Sequence, residues 1–180
     1  ETPNQIQNIL GAASLPSNGT SVSELFSRAS DLLLNHSLLN GHPKFLGYIT
    51  SSAAPIGVLA ELLAATINPN VGANILSPMA TAIEKQTIKW LAEFIGVSST
   101  YGGILVSGGN MANFTAFLAA RTAKTPKNFK EHGLASVPGE MVVYCSKTTH
   151  TWIEKAAVLF GHGYKSIQWI PTDEDNRMKN

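Results

Sequence analysis

Apolar residues recur at helical spacing through the first third of this 180-residue chain. Ser21 has Glu24 three positions later, a capping pattern, and the apolar stripe that follows predicts a helix stopped at Gly41. The polar residues 1–20 contain two prolines and predict an extended arm. Ile56–Ile67 is apolar on nearly every side and therefore predicts a buried helix.

Helical and strand-like patterns alternate further along the chain. Prolines stand where two helices would begin, at Pro55 and at Pro78, and the second of these helices runs to Phe94. The segments that follow are a strand at Gly102–Ser107, a helix at Asn110–Ala123, a strand at Met141–Cys145, a helix at Thr151–Gly161 and a strand at Lys165–Pro171. This alternation is typical of an α/β fold with a parallel sheet. We expect an N-terminal arm and helical segment at residues 1–54 and the first part of a larger α/β domain at residues 55–180.

Composition narrows the class of protein. Hydrophobic residues make up 44% and charged residues 14%, which excludes wholesale disorder. The formal net charge is +1 with no basic run, so we expect no nucleic-acid partner. Prolines interrupt the longest uncharged stretch, Leu62–Ile83, which predicts no membrane span. Cys145 is the single cysteine, which favours a reducing compartment, the cytoplasm. Because the sequence offers no cluster of metal ligands around Cys145, we expect no metal site.

The turn Ser107-Gly108-Gly109-Asn110 is a candidate anion site, because a predicted strand runs there through two glycines into a helix. Glycines let a ligand approach the backbone, and free amides at a helix start attract a phosphate. The turn is neither a P-loop, which needs Gly-Lys-Ser/Thr, nor a dinucleotide fingerprint, which needs a third glycine. The alternative is a tight strand–helix turn that binds nothing.

His150 follows the second predicted strand and precedes a helix. Open α/β sheets bind ligands at that carboxyl edge, so an imidazole there could stack on an aromatic cofactor or transfer a proton. The alternative is a histidine that caps the helix or faces solvent.

Read in order, five blocks resemble the pyridoxal-phosphate-dependent group II amino-acid decarboxylases, a family that includes the aromatic-L-amino-acid and glutamate decarboxylases. The matching blocks are His42–Thr50, Asn74–Glu84, Gly102–Asn113, Ala119–Thr122 and Thr148–Glu154. Five blocks in the same order are more specific than any one of them. The resemblance implies the aminotransferase type of fold (fold type I), here as part of the large domain with an N-terminal helical arm.

The resemblance also implies roles for single residues. Gly108, Gly109 and Asn110 match the place where the family holds the phosphate of pyridoxal 5'-phosphate. His150 matches the histidine that stacks on the pyridine ring and takes part in catalysis.

Three further residues, Tyr48, Ile49 and Thr50, match a segment that lines the substrate pocket, with one residue fewer before Pro55. Ile49 stands where aromatic-acid enzymes often carry an aromatic side chain, which weakens the case for an aromatic substrate without excluding it; glutamate-like, aromatic and other small amino acids stay open. The N-terminal helix and the stretch Asn68–Ser77 resemble segments that reach the neighbouring subunit, which implies a homodimer.

The activity implied is decarboxylation of an L-amino acid to the amine and carbon dioxide. The family's Schiff-base lysine and pyridinium-pairing aspartate match no residue here, and we expect both beyond Asn180. Two alternatives stay open at this point: a non-catalytic fragment that serves as a dimerisation or structural segment, and another reaction of the same cofactor, such as transamination or aldol-type cleavage. A plain nucleotide-binding α/β domain is a more distant fourth reading.

Overall fold

The computed structural model describes residues 1–11, 14–98 and 100–179. The chain divides into two compact units, Glu1–Asn70 and Val71–Asn180, each described by itself below. The domain boundary expected between residues 54 and 55 stays a prediction. Among the described residues, none of the helices combines the length and the apolar character that crossing a bilayer would require.

The described residues of the first unit form three helices: α1 at Pro3–Leu10, α2 at Val22–His36 and α3 at Pro55–Ile67. The extended arm expected at residues 1–20 is therefore wrong where α1 lies, and residues 12 and 13 of that arm fall outside the described residues. A reciprocal capping box begins α1, because Thr2 N donates to Gln5 Oε1 over 2.7 Å and Gln5 N donates to the Thr2 hydroxyl.

Helix α2 begins as the sequence predicts, with the Ser21 hydroxyl accepting from Glu24 N over 3.3 Å. Its side chains also hold α1. The Arg28 guanidinium donates to the carbonyl of Leu10, which closes α1 at 2.6 Å, and the His36 ring lies 2.8 Å from the Glu1 carboxylate. These two contacts join the two ends of α1 to the middle and the last residue of α2.

The expected burial of α3 is wrong. The helix begins at Pro55 as predicted, but it contains no buried residue. Ile56 is 74% exposed, and Leu62 and Ile67 are each 63% exposed. A uniformly apolar sequence predicts burial only where another element covers it, and the exposure of these side chains shows that this condition is not met for α3.

In the second unit, the residues that the structure describes form four helices, two strands and two short 3-10 turns. The helices are α4 at Pro78–Phe94, α5 at Gly108–Lys124, α6 at Phe129–His132 and α7 at Trp152–Leu159. The strands are β1 at Val143–Ser146 and β2 at Ile167–Ile170, and the 3-10 turns lie at Gly133–Ser136 and Tyr164–Ser166. Strand β2 and helix α7 lie within the segments that the sequence predicts, whereas β1 begins two residues later than predicted and ends one residue later, at Ser146.

The two strands pair in parallel, with Val143 opposite Ile167 and Ser146 opposite Ile170. The parallel α/β pattern is therefore confirmed for this unit. The strand expected at Gly102–Ser107 is wrong: within the described ranges this segment has no strand partner. Its apolar character suits a strand, but a strand exists only where a neighbouring backbone completes the ladder.

The core of the second unit lies between α7 and the sheet. Ile153 and Ala157 of α7 are buried against Ile167 of β2. Four half-buried residues complete this core: Phe117, Val143, Cys145 and Trp152. Phe117 comes from α5, so α5 packs on the same core as the strands.

Candidate functional site

The glycine turn opens α5. Ser107 occupies the N-cap position with an extended backbone, and its side chain makes no capping hydrogen bond. Gly108, the first helical residue, has φ at +79°, a conformation that favours glycine over any residue with a Cβ. The sequence predicted the helix from Asn110; the structure begins it two residues earlier, inside the glycine pair.

The space over this turn is open. Apart from its chain neighbours and the nearby backbone of α5, a Cβ built on Gly108 or on Gly109 would meet no atom of the described residues within 4 Å. The first turn of α5 contains no acidic residue. Because the amides of a first helical turn have no intrahelical partner and lie at the positive end of the helix dipole, this turn is suited to an anion. The turn opens a helix, as the sequence predicts, but the segment before it forms no strand within the described ranges, and phosphate binding here stays a prediction.

His150 lies on the loop between β1 and α7, past the carboxyl end of β1, and its side chain is exposed. Its Nδ1 accepts a hydrogen bond from Trp152 N over 3.3 Å. In the neutral imidazole this bond leaves the proton on Nε2. The ring therefore presents a flat face and an N–H group at the edge where α/β sheets bind ligands.

The helices that follow these two features pack together. The Phe117 ring of α5 meets the Trp152 ring of α7 edge to face, with centroids 6.5 Å apart. It also stacks on Phe160, with centroids 5.9 Å apart and planes 19° apart. The glycine turn precedes Phe117 by nine residues, or about 14 Å along the helix axis. The structure thus brings α5 and α7 together, with the contact well inside α5.

A hollow of about 430 Å³ lies at the same sheet edge. Its lining residues are Lys147, Thr149, Thr151, Glu154 and Trp169. It offers one cation, one carboxylate and an aromatic face. Among the described residues, no group of three or more His, Cys, Asp or Glu side chains could hold a metal ion.

Tyr48, Ile49 and Thr50 lie in the first unit, on the irregular segment between α2 and α3. All three are exposed. Tyr48 has φ at +59°, a costly backbone for a bulky residue, and its ring lies 6.2 Å from that of Phe45. Backbone strain of this kind is found at functional segments more often than elsewhere.

Two titratable groups beside the core have shifted pKa values. Burial raises the pKa of the Cys145 thiol, and a hydrogen bond with Thr149 opposes that shift. Burial, and secondly the charge of Arg121, lower the pKa of His162. Both groups lie beside the core, so neither is assigned to the glycine turn.

Two contacts near the site were not predicted from the sequence. The first is the Trp152 amide that orients His150. The second joins Glu84 of α4 to Leu105, just before the glycine turn, over 3.0 Å. Glu84 ends one of the five resembling blocks, which is the one sequence signal that pointed to it.

Residues 3–180 match the pyridoxal-dependent decarboxylase conserved domain, so the chain belongs to that family. The chain is 33% identical over 165 residues to an aromatic-L-amino-acid decarboxylase of Bacillus atrophaeus, covering 92% of this chain and 32% of that protein. It is 34% identical over 147 residues to a glutamate decarboxylase of Drosophila melanogaster, covering 81% and 28%.

The fold agrees with this membership. The crystal structure of mouse CSAD superposes with a TM-score of 0.86 at 25% identity, covering 99% of this chain and 36% of that one. Our chain therefore spans about a third of the relatives that it matches. The cofactor of the family is pyridoxal 5'-phosphate. The glycine turn, which is open and has no acidic residue, suits a phosphate. The exposed imidazole of His150 suits stacking on an aromatic ring.

Proposed function

We propose that the protein decarboxylates an L-amino acid to the amine and carbon dioxide with pyridoxal 5'-phosphate, and that this chain supplies part of the cofactor site. The observation that carries the proposal is the turn at Gly108, Gly109 and Asn110, which opens α5 with positive φ at its first residue and open space above it. Amides there donate to the phosphate oxygens, and the helix dipole favours the negative charge.

His150 is proposed to stack on the pyridine ring and to act in catalysis. The Trp152 amide donates to Nδ1, so in the neutral ring Nε2 carries the hydrogen and can donate a hydrogen bond to an oxygen of the substrate. When bound, the cofactor accepts the electron pair left at the α-carbon as carbon dioxide departs. The role of this chain is to hold the phosphate and to orient the ring.

Tyr48, Ile49 and Thr50 are proposed to line the substrate pocket. Their exposure and the positive φ of Tyr48 support a binding segment over a packed one. The named relatives act on aromatic amino acids and on glutamate, so the substrate is an amino acid whose side chain these residues select. Replacing Ile49 by phenylalanine should change the ratio of kcat/KM values between aromatic and acidic amino acids; an unchanged ratio contradicts this role.

The proposed partner is a second copy of the chain, and the proposed compartment is the cytoplasm. The exposed apolar residues of α3 support a protein partner, because exposed apolar patches mark interaction surfaces. The single cysteine among 180 residues is typical of a reducing compartment. Light scattering on the full-length protein should give the mass of a dimer, whereas the mass of a monomer contradicts the partner.

Borohydride reduction of the full-length protein with pyridoxal 5'-phosphate tests the proposed activity. Intact mass should rise by one pyridoxyl phosphate group per subunit. Unreduced protein with pyridoxal 5'-phosphate, given a panel of amino acids in a separate assay, should release carbon dioxide and amine in equal amounts. The keto-acid product of a transamination would favour the other reaction of the same cofactor, and no adduct would favour a non-catalytic role.

A variant pair sharpens the assignment of His150. His150→Ala should weaken cofactor retention and slow turnover strongly, because the ring face and the Nε2 proton are both lost. His132→Ala is the matched control, since His132 is an exposed histidine on α6. Wild-type turnover in His150→Ala excludes the catalytic role.

A further inference from the structure

The segment between α4 and the glycine turn is held by α4 at two points. The first is a hydrogen bond between residues 21 apart in sequence: the amide of Leu105 donates to Oε1 of Glu84 over 3.0 Å. Leu105 lies three residues before Gly108. Within the described part of the chain, residues 102–106 have no strand partner, so this carboxylate stands where a sheet neighbour would otherwise accept the amide.

The second point lies one helical turn further along α4. A Cβ built on Gly103 would lie 2.9 Å from Cγ2 of Ile88, closer than real side chains approach. The φ of Gly103 lies outside the left-handed region, so the backbone itself would accept alanine. Gly103 is therefore required by the close approach of Ile88 and not by its own conformation.

Glu84 and Ile88 are four residues apart and share one face of α4. We propose that they are positioning residues for the phosphate turn: they fix the segment 102–106, and this segment sets where the first amides of α5 point. The inference rests on the proposed function, because it deepens the role given there to Gly108 and its neighbours. Neither side chain is assigned a contact with the cofactor.

The expected effect follows from the strength of the bond. A hydrogen bond to a charged carboxylate is stronger than one between neutral groups, and its loss frees the lead-in segment. Glu84→Ala should therefore raise the Kd for pyridoxal 5'-phosphate by about tenfold. Glu84→Gln keeps an acceptor oxygen at the same place and should recover much of the affinity. Glu93→Ala, on the same helix, is the matched control.

Hydrogen–deuterium exchange gives a readout that does not depend on activity. In the full-length protein without cofactor, Glu84→Ala should speed exchange of the Leu105 amide by about tenfold or more, whereas Glu84→Gln and Glu93→Ala should change it little. Unchanged exchange at Leu105 in Glu84→Ala overturns the proposal. Faster exchange with an unchanged Kd overturns it too, since the bond would then be structural only.

A second pair of variants tests the contact at Gly103. Gly103→Ala should weaken cofactor binding, and adding Ile88→Ala should restore it by removing the atom that the new Cβ meets. If Gly103→Ala alone binds like wild type, the close approach has no positioning role. If wild-type protein itself binds no pyridoxal 5'-phosphate, the proposed function fails and this role with it. If wild type binds and Glu84→Ala binds equally well, the positioning role alone fails.

Discussion

The Phe117 ring of α5 packs edge to face on the Trp152 ring of α7, with centroids 6.5 Å apart. Trp152 is also the residue whose amide holds His150. One aromatic pair therefore joins α5, which begins at the glycine turn, to α7, which begins two residues after His150. This contact gives α5 and α7 a fixed relation at the core of their unit.

Replacing Phe117 by alanine should destabilise this unit by about 2–3 kcal/mol. Loss of a fully buried phenylalanine costs roughly 3–5 kcal/mol, and Phe117 is half-buried. The ring also contacts Phe160, so the loss reaches both ends of α7. Urea unfolding of the full-length protein measures the change. Phe94→Ala is the control, because Phe94 is 88% exposed and should change the free energy of unfolding little.

The lowered pKa of His162 predicts how the free energy of unfolding depends on pH. Its lowered pKa means that the folded state keeps the ring neutral, while the unfolded chain takes up a proton near the ordinary value, about 6.5. The contribution of the neutral His162 ring to the free energy of unfolding is therefore fully present above a pH of about 6.5, and it is lost as the pH falls below that value. The Nε2 atom of this ring is buried and has no hydrogen-bond partner among the described residues, so a proton placed there would be unpaired.

His162→Gln tests this account, because glutamine is polar but does not titrate. The free energy of unfolding should fall less between pH 7 and pH 5 in the variant than in wild type. Parallel profiles for the two proteins would show that His162 does not carry the acid sensitivity.

Cys145 should react slowly with iodoacetamide at pH 8. Burial raises the pKa of the thiol and lowers its thiolate fraction, and the thiolate is the nucleophile. The hydrogen bond with Thr149 opposes that shift, so Thr149→Val should slow the reaction further. Mass spectrometry of the peptide that contains Cys145 gives the rate, with Thr148→Val as the control from the same loop. Faster alkylation in Thr149→Val would contradict the stated causes.

Local sequence signals predicted the helices well and the tertiary environment poorly. The cap at Ser21 and the prolines at the starts of α3 and α4 are local, and each was predicted in place. Helix α1 was missed because its prolines and polar residues suggested an extended chain, although Thr2 and Gln5 form a capping box. Uniform apolarity over residues 55–67 predicted burial, but burial depends on what covers a helix.

The candidate site shows the same difference between features set by local sequence and features set by tertiary packing. The glycine turn and His150 could be predicted, because glycine and histidine at a strand–helix junction are local signals. The bond between Glu84 and Leu105 could not, since it joins residues 21 apart through the packing of α4. The strand expected at residues 102–107 failed for a related reason: pairing is a property of two segments, and the sequence of one does not supply the other.

The central claim is that the turn at Gly108, Gly109 and Asn110 binds the cofactor through its phosphate, and Asn110→Asp tests it most directly. The change is nearly isosteric, and an acidic residue in the first turn suits the helix dipole, so the fold should tolerate it. Asn113→Asp, one turn later on α5, is the control.

The measurement is the affinity of the full-length protein for pyridoxal 5'-phosphate and for pyridoxal, which lacks the phosphate. The account predicts that Asn110→Asp weakens binding of the phosphate form by about 30-fold or more, from roughly 2 kcal/mol of charge repulsion, and leaves pyridoxal binding unchanged. Equal losses for both compounds, or no loss for either, would contradict a phosphate site at this turn.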